Sequence, residues 1–425
     1  MNDRARPWYR TFLIIFAGQA FSLLGSAAVN FALVWWLTAT TGSAGILAYA
    51  SIAALLPQAL LGLVVGPFID RWDRRLTMIA ADTFIAATSL VLLALFALGS
   101  PSTGVVIGIV ALRSVGAAFH TPASQAAVPM YVPAEHLMRV AGWNYFLVSG
   151  VSMAGPVLGA FLMGVLPMAG VIALDVGGAA FAVASLLLVR IPHPERSATE
   201  SPATGLLAEF RQGWRELVHH RGLLQLTLVL VAVTLVYMPL NAFFPLMTLQ
   251  HFSGDAVRAS IAELAFGAGM LAGSAGIGAL AARIPGTRLV GIGIFLLGLM
   301  AGVSGLLPPS GFWVFAVLCV FMGISAPLFG APLTALFQGL IDPSKLGRVM
   351  SLYMAMTTVV APVGLLAAGP LAENTGVAPW FALSGALMFL TGLPVWLLPA
   401  VRRLDRLVAT QQATPQVAVA EGEGQ

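Results

Sequence analysis

The chain has 425 residues, of which 59% are hydrophobic and 9% charged, and its formal net charge is +4. A soluble domain carries about 25% charged residues, so this composition excludes a soluble globular enzyme and points to a polytopic membrane protein. A single cysteine, Cys319, excludes an internal disulfide and a multi-cysteine metal site, and basic residues scattered over many short loops give no nucleic-acid-binding face.

A membrane-spanning helix needs about 20 apolar residues. Twelve stretches qualify: 12–38, 45–69, 77–98, 104–124, 137–165, 168–189, 222–249, 259–282, 288–307, 312–337, 347–371 and 378–400. Arg4, Arg6 and Arg10 precede the first, in the manner of a secretory leader. The run from Phe12 to Leu37 is too long for a leader and ends without a small-residue cleavage pattern, so it reads as a retained span.

One connection, 190–221, is long. It begins Pro192-His193-Pro194, continues polar from Ser197 to Thr204, and then sets Leu207, Phe210, Trp214, Leu217 and Val218 at helical spacing among Glu209, Arg211, Arg215 and Glu216. That pattern predicts an amphipathic helix lying on the membrane surface; the alternative is a solvated linker with one helical turn. The expected division is therefore an N-terminal six-helix bundle over 1–190, a linker over 191–221, a C-terminal six-helix bundle over 222–401, and a polar, disordered tail over 402–425.

Orientation follows from Lys and Arg, which accumulate on the cytoplasmic side. Arg113 falls inside the fourth span and Arg258 between the seventh and eighth. All the others lie at the N-terminus, after even-numbered spans (Arg139, Arg288 and Arg348 within the first three residues of the span that follows), in the long connection or in the tail. With twelve alternating spans those places share one side. The expectation is a multi-pass protein of the bacterial cytoplasmic (inner) membrane with both termini cytoplasmic. Arg greatly outnumbers the one lysine, Lys345, a compositional sign of a GC-rich bacterial source.

The two halves repeat. Phe119-His120-Thr121-Pro122, then Pro133, then Leu137-Met138-Arg139-Val140 precedes a glycine-rich span. Phe329-Gly330-Ala331-Pro332, then Pro343, then Leu346-Gly347-Arg348-Val349 precedes another, and the proline spacing is the same. Both copies sit at the junction of the fourth and fifth spans of a six-span half, the mark of two parallel repeats.

Between the second and third spans lies Gly66-Pro67-Phe68-Ile69-Asp70-Arg71-Trp72-Asp73-Arg74-Arg75, a dense charged knot that must lie at the water interface. It resembles motif A of the major facilitator superfamily, with Asp73 where the family usually has Gly, as in the drug:proton antiporter branch that includes macrolide-efflux and siderophore-export proteins. The resemblance covers nearly the whole chain. It implies an all-α membrane fold of twelve transmembrane helices in two pseudo-symmetric six-helix bundles. It also implies a gate in which the Asp70 carboxylate faces the N-terminus of span eleven, near Gly347, where the helix dipole favours an anion. Arg71, Arg74 and Arg75 would add ion pairs and anionic-lipid contacts; positive-inside topology alone also accounts for these arginines. The corresponding site of the second half keeps Gly278 and Arg283 but has Ala282 in place of the Asp, so the gate is asymmetric.

Arg113 lies nine residues into span four from Gly104, roughly 13–14 Å at 1.5 Å per residue. A midplane Arg must face the protein interior or a water-filled cavity and needs an acceptor. Its surroundings resemble motif B, shortened here to Arg113-Ser114-Val115-Gly116, and the resemblance implies a part in proton coupling; the alternative is a structural Arg on backbone carbonyls. Three more carboxylates accompany it as proton-carrier candidates: Asp175, two turns into span six beside Gly177-Gly178; Glu263, about one turn into span eight; and Asp82, about one and a half turns into span three. Asp175 reads equally as a helix-packing hydrogen bond, Glu263 as a partner of Arg258 or an interfacial group, and Asp82 as a partner of the motif A arginines. Span five carries Gly150, Gly155, Pro156 and Gly159 in a pattern similar to motif C, the antiporter signature, with Ala160 in place of its final Gly. Small residues also serve close helix packing.

Polar and aromatic groups expected to line a substrate cavity are Gln19, Asn30, Phe31, Trp35, Asn144, Tyr145, Asn241, Phe243, Phe244 and Tyr353; aromatic walls with a few polar groups suit amphipathic ligands. No zinc-protease helix, no Gly-x-Ser-x-Gly elbow and no P-loop occurs, since Lys345 sits in Ser344-Lys345-Leu346. The expectation is a secondary active transporter, not an enzyme, without cofactor or metal. It exports amphipathic small molecules (drug, macrolide or siderophore-like) against protons, by alternating access, with sodium as the other coupling ion open. The competing expectation is an importer or facilitator of an unrelated solute. Membrane lipids are the surrounding partners, no nucleic acid is involved, and a monomer suffices for the fold.

Overall fold

A computed structural model describes residues 6–191, 206–408 and 410. Thirteen long helices follow in order: α1 Arg6–Thr41, α2 Ala44–Arg71, α3 Arg74–Leu98, α4 Thr103–Tyr131, α5 Leu137–Val165, α6 Met168–Leu188, α7 Leu206–His219, α8 Arg221–Ala242, α9 Ala256–Ala281, α10 Gly286–Leu306, α11 Phe312–Leu340, α12 Pro343–Thr375 and α13 Val377–Leu397. All except α7 are long and apolar enough to cross a membrane, twelve in all among the described residues. A helix is the natural solution there, because it satisfies its own backbone groups where no water can.

The twelve helices form two six-helix bundles with the same internal pairing. In the first, α1 packs on α5 and α6, and α3 packs on α4 and α6. In the second, α8 packs on α12 and α13, and α10 packs on α11 and α13. By contacts the chain divides into one compact unit of residues 1–199 with 248–264, and another of residues 200–247 with 265–425.

The helices mostly run a few residues past the apolar windows, since polar residues at the ends still complete turns. Two differences have a local cause. The predicted seventh span, 222–249, is one helix only to Ala242. Pro239 and Pro245 lack the N–H groups that would carry the ladder through, Phe243 leaves helical geometry at ψ 5°, and a π-turn over Met247–His251 follows. The tail is ordered beyond 402. Leu404 is buried, and the Asp405 carboxylate accepts hydrogen bonds from the backbone N–H of Thr287 (3.2 Å) and from its hydroxyl, which satisfies an otherwise orphaned donor at the start of α10. Residues 411–425 lie outside the described residues, as do 192–205 of the long connection.

The amphipathic segment is helical as α7. Gly213 lets it sit close on α12, because a Cβ there would come within 2.8 Å of the Arg348 carbonyl oxygen. Leu217 is fully buried, and Lys345 Nζ lies 2.9 Å from Glu216 Oε2. Trp214 and Val218 remain exposed. At its end, burial lowers the pKa of His220, with His219 and Lys345 acting in the same direction and Glu216 opposing.

Candidate functional site in the first bundle

The first bundle encloses a polar cavity of about 260 Å³, reached by side chains of α1, α2, α3, α4 and α6, among them Gln19, Asn30, Gln58, Asp82, Arg113 and His120. Its construction begins with small residues. On α1, a Cβ at Gly25 would stand 3.2 Å from the Asp175 backbone, and one at Gly178 on α6 would meet the Phe21 carbonyl oxygen at 3.0 Å. This close approach of α1 and α6 is what brings a serine of one helix onto a carboxylate of the other.

Asp175 is 1% exposed. Ser26 Oγ donates to its Oδ1 (2.7 Å), while Ser89 Oγ (2.9 Å) and Arg113 Nη1 (2.6 Å) donate to its Oδ2. Arg113 also contacts the hydroxyls of Ser89 and, at 3.4 Å, Ser26. Four helices thus converge on one buried ion pair. The sequence expected an interior acceptor for Arg113 and left Asp175 open between packing and transport; the two residues are partners. Ser26 and Ser89 were not anticipated, because a serine in a span carries no distinctive sequence signal.

One residue further along α4, the Ser114 hydroxyl is spliced into α2. It accepts from the Gln58 N–H (3.2 Å) and donates to the Ala54 carbonyl (2.6 Å), bridging both groups of one rung of the α2 ladder just after Pro57. An inserted side chain of this kind is a recognised way to interrupt a helix.

Asp82, 4% exposed, is paired with neither Arg74 nor Arg75 among the described side chains. The Gln19 amide donates to its Oδ2 at 3.3 Å, and His120 Nε2 lies 3.3 Å from its Oδ1, close enough for an ion pair although the angle falls short of a hydrogen bond. The physical reason is register: Asp82 points inward, eight and seven residues up α3 from Arg74 and Arg75. His120 stood in the sequence only as a letter of the repeat.

In motif A, the side chains of Gly66, Asp70 and Arg71 lie outside the described residues. Asp73 caps α3, its Oδ1 accepting from the Leu76 N–H at 3.1 Å, which gives a structural use for an acid where the family usually has Gly. Arg74 contacts Met130 Sδ at 2.9 Å, and Arg75 donates to the carbonyls of Leu186 (2.8 Å) and Leu187 (3.0 Å) at the end of α6. Arg75 therefore serves as a C-terminal cap for α6.

In motif C the glycines divide. A Cβ at Gly155 would meet Ala27 Cβ at 2.5 Å, and one at Gly159 would meet the Ala28 carbonyl oxygen at 2.6 Å, whereas Gly150 faces open space. Pro156 and Ala160 are buried. Gly155 and Gly159 are what let α5 lie against α1.

The remaining candidates scatter. Gln19 and Asn30 reach the cavity, while Phe31 and Trp35 are buried in an apolar cluster with Ala160 and Ala259. Phe243 and Phe244 are core residues of the second unit, where the Phe244 ring lies among those of Phe266, Phe315 and Phe381. Asn144 is half-buried, Asn241 is exposed, and the Tyr145 side chain lies outside the described residues. Tyr353 is half-buried with its ring 5.8 Å from that of Phe337. Glu263 is half-buried on α9, within the segment 248–264 that packs with the first unit. Arg258 uses its backbone N–H to meet Asp255 Oδ1 at 2.9 Å at the start of that helix. Among the described residues no cluster of metal-ligating side chains occurs.

Comparison with known proteins agrees with this architecture. The sequence profile of the Major Facilitator Superfamily matches residues 15–303 and 251–420. Macrolide efflux protein A of Streptococcus pyogenes is 39% identical over 405 residues, spanning 95% of this chain and 99% of that protein. The multidrug efflux pump Tap of Mycobacterium tuberculosis is 29% identical over 413 residues, spanning 93% and 94%. Among solved structures, the peptide transporter PepTSo superposes with a TM-score of 0.70 at 14% identity, covering 93% of this chain and 98% of that one. A bacterial homologue of the human lysosomal transporter Spinster gives 0.65 at 14% identity, with 96% and 98% covered; both support the fold. The chain belongs to the major facilitator superfamily of membrane transporters.

Proposed function

We propose that this protein is a proton-coupled exporter of amphipathic small molecules, macrolide-like compounds among them, working by alternating access in the bacterial cytoplasmic membrane with both termini on the cytoplasmic side. The observation that carries the reading is the buried Arg113–Asp175 pair at 2.6 Å, whose Arg113 lines the polar cavity of the first bundle. The similarity to macrolide and multidrug efflux proteins supports the direction and the substrate class.

The chemistry is electrostatic. A carboxylate buried against a guanidinium favours its charged form, and the same carboxylate buried without it favours the neutral one. Any motion that draws Arg113 away from Asp175 therefore makes Asp175 take up a proton, and the return of Arg113 expels it. Ser26 and Ser89 can donate to the anion or accept from the acid, so both states keep partners. Asp70 at the end of α2 acts as the gate, Asp82 and Glu263 are further carboxylates available to coupling, and the Gly155–Pro156–Gly159 stretch sets the packing of α5 on α1.

Everted membrane vesicles test this with a fluorescent amphipathic dye and an imposed proton gradient, against a sodium gradient as control. The expected result is proton-driven accumulation by the wild type, lost in Asp175→Asn and in Arg113→Ala. Accumulation driven by sodium alone, or unchanged in both variants, would reject the coupling assignment.

A further inference from the structure

Six polar residues in and beside the cavity fall in pairs seven apart along three helices: Gln19 and Ser26 on α1, Asp82 and Ser89 on α3, His120 and Arg113 on α4. Seven residues are two turns, about 10 Å of rise, so these residues form two rungs. In the upper rung Ser26, Ser89 and Arg113 surround Asp175. In the lower rung, nearer the arginine-bearing start of α3, Gln19 and His120 flank Asp82. Each rung holds one carboxylate and one nitrogen base.

The charge count separates them. In the upper rung Arg113 neutralises Asp175. In the lower rung Asp82 is neutralised only if a proton resides on His120 or on the carboxylate itself. An imidazole nitrogen 3.3 Å from a buried carboxylate, with no fixed cation in the same rung, is the geometry of a pair that can share a proton. The other charged or titratable groups facing it are few. From α4 and α6 come Arg113 and Asp175, one rung away; α1 and α2 offer only uncharged groups to the cavity, the amides of Gln19, Asn30 and Gln58 and the hydroxyls of Ser22 and Ser26. Along α3 itself Asp73, Arg74 and Arg75 lie two turns or more off, and at that end of α2 stand Asp70 and Arg71, whose side chains are outside the described residues.

We infer that Asp82 and His120 form a second proton-exchange site of the transport cycle, in series with Arg113–Asp175. The inference rests on the proposed proton coupling and extends it to a residue pair. The neutral imidazole takes a proton from cavity water at Nε2 and holds it against the Asp82 carboxylate. It returns that proton to water when the cavity opens at the lower rung. Gln19 keeps the carboxylate oriented in both states, since an amide donates to it whether or not His120 is charged.

The test is the pH profile of gradient-driven dye transport in proteoliposomes of the full-length protein, at a fixed proton gradient, between about pH 5 and pH 8, the range in which an imidazole changes charge. The wild-type rate should change several-fold across that range. His120→Gln and Asp82→Asn should each slow gradient-driven transport several-fold and flatten its pH profile, and the double variant should be no slower or flatter than either, because both remove one shared site. A His120→Gln profile that superimposes on wild type, or a double variant whose loss is the product of the two singles, overturns the inference. Asp175→Asn in the same assay judges the underlying proposal separately. If it stays gradient-driven while His120→Gln flattens the profile, the Asp82–His120 site stands but its placement in series with Arg113–Asp175 is overturned.

Discussion

Arg113 and Asp175 are each expensive to bury alone and are held together by two serines that serve either of them. Removing one partner strands the other, which costs on the order of 3–5 kcal/mol, whereas replacing both by apolar groups of similar volume is often neutral. Arg113→Ala is therefore expected to lower the melting temperature in detergent, and Arg113→Met with Asp175→Leu to recover much of it without recovering transport. Recovery of both would make the pair purely structural. At the same scale, Arg75→Ala should cost about 1 kcal/mol through the two carbonyls it leaves uncapped at the end of α6, measurable by denaturant or thermal unfolding. Arg113 was legible as a residue needing an interior acceptor, because an ionised side chain deep in an apolar run permits little else. Its partner was not, because several carboxylates satisfied the same rule and only the register of α1 on α6 selects Asp175. His120 was illegible for the same reason, since its significance lies in facing Asp82 across two helices.

Helix contacts explain which glycines matter. Gly155 and Gly159 face α1 at distances no Cβ could share, and Gly150 faces open space. Gly159→Val should destabilise the first bundle by about 1–3 kcal/mol as an overpacked contact, and Gly150→Val should leave the melting curve near wild type. Equal losses in the two would mean that the motif acts through something other than α1–α5 packing. The sequence showed the small-residue stripe but not which members it needs, because a periodic pattern does not identify the neighbour it faces. The α7–α12 junction adds a pH dependence. Burial lowers the pKa of His220 in the folded chain, so the unfolded chain binds more protons as pH falls through the ordinary imidazole value of about 6.5. The junction should thus loosen on acidification and be fully formed above that value; hydrogen exchange of α7 at acidic and neutral pH, compared in His220→Asn, reads this directly.

Across the whole molecule, span count, the repeat and the fold class were legible because they rest on apolar length and on Lys and Arg asymmetry, which act over many residues at once. The break after Ala242 escaped that reading, since Phe243 and its neighbours are as apolar as a continuous span, and only the two prolines marked it. Two bundles of matching pairing are the frame of a major facilitator transporter, and the proposed function adds a site inside one bundle whose exposure and charge change together. The most direct test of that account separates movement from coupling, by measuring substrate counterflow and gradient-driven uptake side by side in proteoliposomes of wild type and Asp175→Asn. The account expects Asp175→Asn to exchange substrate across the membrane at near wild-type rates while failing to accumulate it against a gradient. Loss of both activities together, or of neither, would contradict it.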